Sequence, residues 1–159
     1  MLAARILCLL LAFPTAALPS HEIPPQLRGT WIITRLIPTR TISCWGQREA
    51  NRLLGTSVHY STDSFQWKSY SVERAAVIAQ DWTAEGFSRE YSGGGAADSY
   101  VDFGELGIPS STATVIIIQH PPADITGATV EIPGDWVLLK NRNTIILSVC
   151  NLYFEAHRR

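Results

Sequence analysis

Two cysteines constrain this chain more than any other residues: Cys44, just after the first β-rich run, and Cys150, inside the last one. A bond between them would close a loop of about 106 residues, to which chain entropy assigns roughly 4 to 5 kcal/mol. It would also require a fold that brings both ends of the chain together. The competing reading is a pair of buried thiols acting as small apolar groups. Neither cysteine has a CxxC partner or an adjacent histidine, so the sequence offers no sign of reactive-thiol chemistry.

The N-terminus bears on which reading holds. Met1 to Arg5 carries one positive charge, Ile6 to Phe13 is an unbroken apolar run, and Pro14 breaks it ahead of Thr15, Ala16 and Ala17. This is the pattern of a secretory signal peptide, with cleavage expected after Ala17. The apolar run is far shorter than the ~20 residues of a spanning helix, and no later stretch reaches that length, so no stable membrane anchor is expected after cleavage. Cys8 would leave with the signal, and the even pair Cys44 and Cys150 would reach a periplasmic or extracellular compartment where disulfides persist. The organisation read from this is a signal peptide over 1–17, an irregular leader over 18–28 carrying Pro19, Pro24 and Pro25, and a single domain over 29–159.

With 46% hydrophobic and 17% charged residues the chain has enough apolar material for one core. Its net charge of −1 and its lack of a basic run make nucleic acid and anionic membrane surfaces unexpected partners.

Strand signals dominate. Thr30 to Leu36 is β-rich, follows Gly29 and ends before Pro38. Gln47 to Leu54 contains good helix formers and stops at Gly55, the usual residue of a left-handed C-cap. Ser57 to Tyr60 and Phe65 to Lys68 flank a polar turn and read as a hairpin, and Ser71 to Ala79 reads as one further strand. Thr83 to Tyr91 reads as a second short helix with a threonine cap, closing near the Gly93-Gly94-Gly95 run. Beyond it come Tyr100 to Phe103, the isoleucine-rich Thr112 to Gln119, and Ala128 to Ile132. Trp136 to Lys140 and Thr144 to His157 surround the polar turn Asn141-Arg142-Asn143 and form the clearest hairpin. Eight to nine antiparallel strands with two short helices predict a mainly β domain, a barrel or a sandwich, and closure is favoured because it removes exposed edges.

Gly29-Thr30-Trp31, at the start of the first strand after a loose leader, resembles the Gly-x-Trp opening of lipocalin-like (calycin-type) barrels. A bacterial periplasmic proteinase inhibitor family with a small barrel, a similar opening and a disulfide is also similar. The lipocalin resemblance implies an antiparallel barrel, structural roles for Gly29 and Trp31 with Trp31 closing one end, and an arginine late in the chain near that tryptophan, at Arg158 or Arg159. It implies an exported binder of a small apolar ligand.

Strand parity then suggests walls for such a ligand. Taken as one strand, the final run places Ile145, Leu147, Val149, Asn151, Tyr153, Glu155 and His157 on one face, and Ile146, Ser148, Cys150, Leu152, Phe154 and Ala156 on the other. Both faces are apolar in the first half, so one is expected to line the interior and the other to lie under a helix. The candidate ligand-binding residues are Phe65, Trp67, Asn151 and Tyr153, with a core or solvent-facing role as the plainer alternative. The five tryptophans are otherwise read as core.

No catalytic signature is present. His59, His120 and His157 lack the spacing of a zinc site, and Ser92-Gly93-Gly94-Gly95 lacks the lysine of a phosphate loop. His120 and Asp124 share one loop, for which a capped turn is the simpler account. No cofactor and no metal are expected. The alternatives to ligand binding are an interaction protein, such as a hydrolase inhibitor, acting on a protein partner through residues 18–28 or 121–127, and a barrel enzyme using His120 or His59 as acid–base.

Overall fold

The computed structural model describes residues 20–92, 100–120 and 132–159. The expected signal peptide, the glycine run, Asp124 and most of the expected strand at Ala128 to Ile132 lie outside them.

The chain is mainly β. Its strands are β1 (Gly29–Ile37), β2 (Ser57–Tyr60), β3 (Ser64–Trp67), β4 (Tyr70–Glu73), β5 (Ala76–Thr83), β6 (Thr112–Gln119), β7 (Trp136–Asn141), β8 (Thr144–Val149) and β9 (Leu152–Arg158), with helices α1 (Gln47–Asn51) and α2 (Ala84–Tyr91). The nine strands form one antiparallel sheet in the order β4-β3-β2-β1-β9-β8-β7-β6-β5, curled into a half-barrel. The first strand pairs with the last, from Trp31 opposite Arg158 to Ile37 opposite Tyr153. Every other pairing joins consecutive strands, and the sheet stays open, with β4 and β5 as its two edges. Ser20 makes an antiparallel bridge to Val77 on β5, and Ile23 donates to the Thr62 carbonyl, which draws residues 20–28 across this side of the sheet.

Alternation along the strands sends large apolar side chains to both faces. Trp31, Ile33, Phe65, Ile116, Leu147 and Phe154 belong to the cluster on the inner face. Ile37, Val115, Leu138, Ile146 and Tyr153 belong to a second cluster with Phe87 of α2 and with Phe103 and Leu106 of the connection before β6. A β-bulge between Ile33 and Arg35 shifts the register of β1 and lets one strand serve both. Leu36 then joins the inner cluster and Ile37 the outer one. β8 reads as a nearly unbroken apolar run because it is buried on both sides.

Two expected strands are divided, and in both cases a left-handed residue other than glycine makes the break. Ser71 to Ala79 does not run straight: Arg74, at φ 52°, separates β4 from β5 and donates its amide to the Asp63 carbonyl. Thr144 to His157 folds back at Cys150 and Asn151, at φ 53° and 58°, with Val149 opposite Leu152. This two-residue turn splits the expected parity set. Ile145, Leu147 and Val149 pack inward, whereas across the turn Phe154 and Ala156 pack inward and Tyr153 joins the outer cluster. Neither break carries the Asn-Gly signal that usually marks such a reversal. Tyr100 to Phe103 is likewise no strand: Tyr100 makes one isolated bridge to Arg40, and the chain then turns.

The expected disulfide is present. Cys44 and Cys150 are bonded, with Cα atoms 5.5 Å apart.

Where β1 begins and β9 ends, the Arg158 guanidinium lies 4.2 Å above the ring of buried Trp31. Trp31 donates from Nε1 to the Leu27 carbonyl at 2.6 Å. Arg158 donates to the carbonyls of Arg28, Gln26 and Arg142, tying the leader to the β7–β8 turn. Gly29 enters β1 at φ +118°, and a Cβ there would stand 2.9 Å from Arg158 Nη1. On the outer surface Arg35 donates from Nε and Nη2 to Oε2 of buried Glu155 at 2.9 and 2.6 Å, and Lys140 Nζ reaches Oε1 at 3.0 Å. Burial pushes the Glu155 carboxyl up, but the hydrogen bonds and charges of Arg35 and Lys140 outweigh it and hold the group below its ordinary value of 4.5.

Two outcomes follow from this geometry. Gly29→Ala combines a left-handed backbone with a crowded Cβ and is expected to destabilise the protein by about 1–3 kcal/mol, read as a lower denaturant midpoint at unchanged slope. Because the folded chain holds the Glu155 proton more weakly than the unfolded chain does, the stabilisation from this group is complete above the usual carboxylate range and is lost as pH falls through it. Glu155→Gln is expected to be about 1–3 kcal/mol less stable at pH 7 and to lose less stability than the parent between pH 7 and pH 3, as measured by denaturant titration.

Candidate functional site

The site forms where α2 lies on the outer face of β6 to β9. Thr83 makes the expected cap: its Oγ1 accepts the Gly86 amide at 3.1 Å, satisfying a donor that the helix itself leaves open. The helix then presents Phe87 and Tyr91, four residues apart and therefore on one face. Phe87 is fully buried, with ring centroids 4.7 Å from Tyr91, 5.1 Å from Phe103 and 6.2 Å from Trp136. Trp136, the first residue of β7, meets Tyr91 at 5.4 Å and Tyr153 at 6.0 Å, edge to face in both cases. Its Nε1 donates to the Tyr91 hydroxyl at 3.2 Å. Burial pushes the Tyr91 hydroxyl above its ordinary value, against the Trp136 hydrogen bond and with the aid of the Glu90 charge, so it stays a neutral hydroxyl at physiological pH.

Beside these rings lies a cavity of about 520 Å³. Its walls are the aromatic groups Tyr91, Trp136 and Tyr153 with Ile117 and Ile118, and its polar groups are Gln119, His120, Asp135, Ser148 and Asn151. Both the volume and the mixture of apolar walls with a few polar groups fit a small-molecule site. His120 Nε2 and Asp135 Oδ2 are 3.1 Å apart, with side chains 6% and 14% exposed. Asp135 is fixed in turn, since its Oδ2 also accepts the Ile132 amide and its carbonyl accepts the Ile118 amide. The imidazole is therefore oriented by a carboxylate that the backbone holds in place.

The four sequence candidates divide into two pairs. Asn151 and Tyr153 line this cavity. Phe65 is buried in the inner cluster and stacks on Tyr60 at 5.9 Å. Trp67 packs against the same cluster, with its ring 6.5 Å from Tyr70 and the Lys68 ammonium 4.4 Å above it. The structure thus separates Phe65 and Trp67 from Asn151 and Tyr153. Of the histidines, His120 reaches the cavity, whereas His59 and His157 are exposed and meet the hydroxyls of Thr30 and Thr144 at 3.0 and 3.3 Å. Tyr91, Asp135, Trp136 and Ser148 were not singled out for binding by the sequence. The available signal was the capped helix ending at Tyr91 together with apolar strands buried on both faces, a combination that requires the helix to lie on one of them. Among the described residues, no three or more potential metal ligands come together and no helix is long and apolar enough to cross a membrane.

No protein-family model, curated protein or solved structure shows a significant match to this chain. The class is therefore defined by geometry: a curled antiparallel sheet whose outer face, under a short helix, carries an aromatic-walled cavity.

Phe87 sets the height of α2 above the strands. Phe87→Ala should cost about 3–5 kcal/mol and release the Trp136 environment, observed as a red-shifted tryptophan emission under native conditions.

Proposed function

We propose that this chain is an exported small-molecule-binding protein and that its ligand sits in the cavity beside α2. The observation that carries the reading is the convergence of Tyr91, Trp136 and Tyr153 with Ser148, Asn151 and the His120–Asp135 pair around one concavity. Such walls suit a ligand with an apolar, ring-like body and a hydrogen-bonding edge. The inner face supplies support rather than space, since Trp31, Tyr60, Phe65 and Phe154 are packed there as fully buried side chains. Export is supported by the apolar N-terminal run and by the Cys44–Cys150 bond. A lipocalin-like relationship is supported by Arg158 lying over Trp31 beside Gly29 and by the pairing of the first strand with the last.

A second reading, an interaction protein such as a hydrolase inhibitor, is supported by the open sheet edge at β4, where Tyr70 is 44% exposed. The leader is a poor contact segment for that role, because Ile23 and Leu27 bury it in the core.

Native mass spectrometry of the protein purified from its own exported fraction separates these readings. A non-covalent small-molecule adduct is expected that is lost on denaturation and reduced at least tenfold in occupancy in Trp136→Ala. A protein that is bare in every preparation, or an adduct indifferent to Trp136, would sink the ligand-binding reading.

A further inference from the structure

We propose that the Cys44–Cys150 disulfide is a positioning device for this cavity, holding the Cys150–Asn151 turn in left-handed backbone and so fixing Asn151 at the wall. The inference rests on the cavity being the binding site. Its starting point is the turn itself. Cys150 and Asn151 lie consecutively at φ 53° and 58°, a conformation in which a Cβ crowds the backbone and for which hairpins ordinarily use glycine. Asparagine is among the residue types that tolerate it, and cysteine is not. The surroundings must therefore hold the turn in place.

The restraints come from one neighbouring segment. Cys44 bonds Cys150, Thr41 Oγ1 donates to the Asn151 carbonyl at 2.6 Å, and Asn151 Nδ2 donates to the Ile42 carbonyl at 3.1 Å. Residues 41–44 thus grip both residues of the turn, through a covalent bond on the first and two hydrogen bonds on the second. Ser148, Asn151 and Tyr153 lie at or within two residues of this turn, and all three line the cavity. The ladder between β1 and β9 already brings the two ends of the domain together, so what the disulfide adds to the folded state is local: the shape of the turn that carries Asn151.

The test separates turn geometry from mere cross-linking, because glycine at 150 favours the left-handed conformation without any bond. Binding of 1-anilinonaphthalene-8-sulfonate is titrated by fluorescence to the oxidised protein, to Cys44→Ser/Cys150→Ser and to Cys44→Ser/Cys150→Gly, with Trp136→Ala locating the probe. The serine pair is expected to bind on the order of tenfold more weakly, and the glycine variant to return to within about twofold of the parent. Undiminished binding by the serine pair would overturn the proposal, as would a glycine variant no better than the serine one. Should the serine pair fail to fold, the glycine variant decides alone: parental affinity supports the proposal and a tenfold loss overturns it. Probe binding that is absent, or untouched by Trp136→Ala, is a different failure, which removes the binding reading and this inference with it.

Discussion

The antiparallel pairing of β1 with β9 joins two short meanders, β1 to β4 and β5 to β9, into one sheet. Each meander is held together by hairpins of consecutive strands, and this one ladder, between segments more than a hundred residues apart, makes them a single curved surface. Contacts at its two ends reinforce it. At one end Arg158 stacks on Trp31 and binds the leader carbonyls; at the other the β8–β9 turn is bonded to the segment after β1 through Cys44. Closing so long a loop carries a large entropic cost, and the covalent bond lowers that cost by restricting the unfolded chain.

Once the sheet exists, its two apolar faces require different partners. The inner face is served by curvature, which lets side chains from opposite strands and from α1 meet. The outer face is half apolar and half polar. Its apolar half, over β6 to β9, is covered by α2 and the connection before β6, and the cavity lies beside the helix, where the strands present both ring side chains and polar ones. Nearby on the same face Glu155 is accommodated by two cations, an arrangement that satisfies a buried carboxylate but offers no open position.

Much of this was legible in the residues. The β6 run, the β7–β8 hairpin, the Thr83 cap, the pairing of the cysteines and the need for a helix over one face all follow from local chemistry or from burial pattern. What the sequence hid were the reversals at Arg74 and at Cys150–Asn151. Arginine and cysteine do not advertise left-handed backbone, and each is held there by distant partners: the Asp63 carbonyl for one, Cys44 for the other. Missing the second reversal also misplaced the wall of the site, since the two-residue turn resets which side chains of the last run share a face.

The amino-acid order by itself determined a mainly β domain with two short helices, because period-two apolar alternation, turn residues and a helix cap act over a few neighbours. It also determined that strands such as β8 would be buried on both sides, because their apolar runs leave no face for water. Only the tertiary structure decided that Asn151 and Tyr153 would share a cavity with Trp136 and His120 while Phe65 and Trp67 would not. That outcome depends on the register of strands paired across the whole chain and on a turn held by a remote bond, and neither is encoded in the residues that form the site.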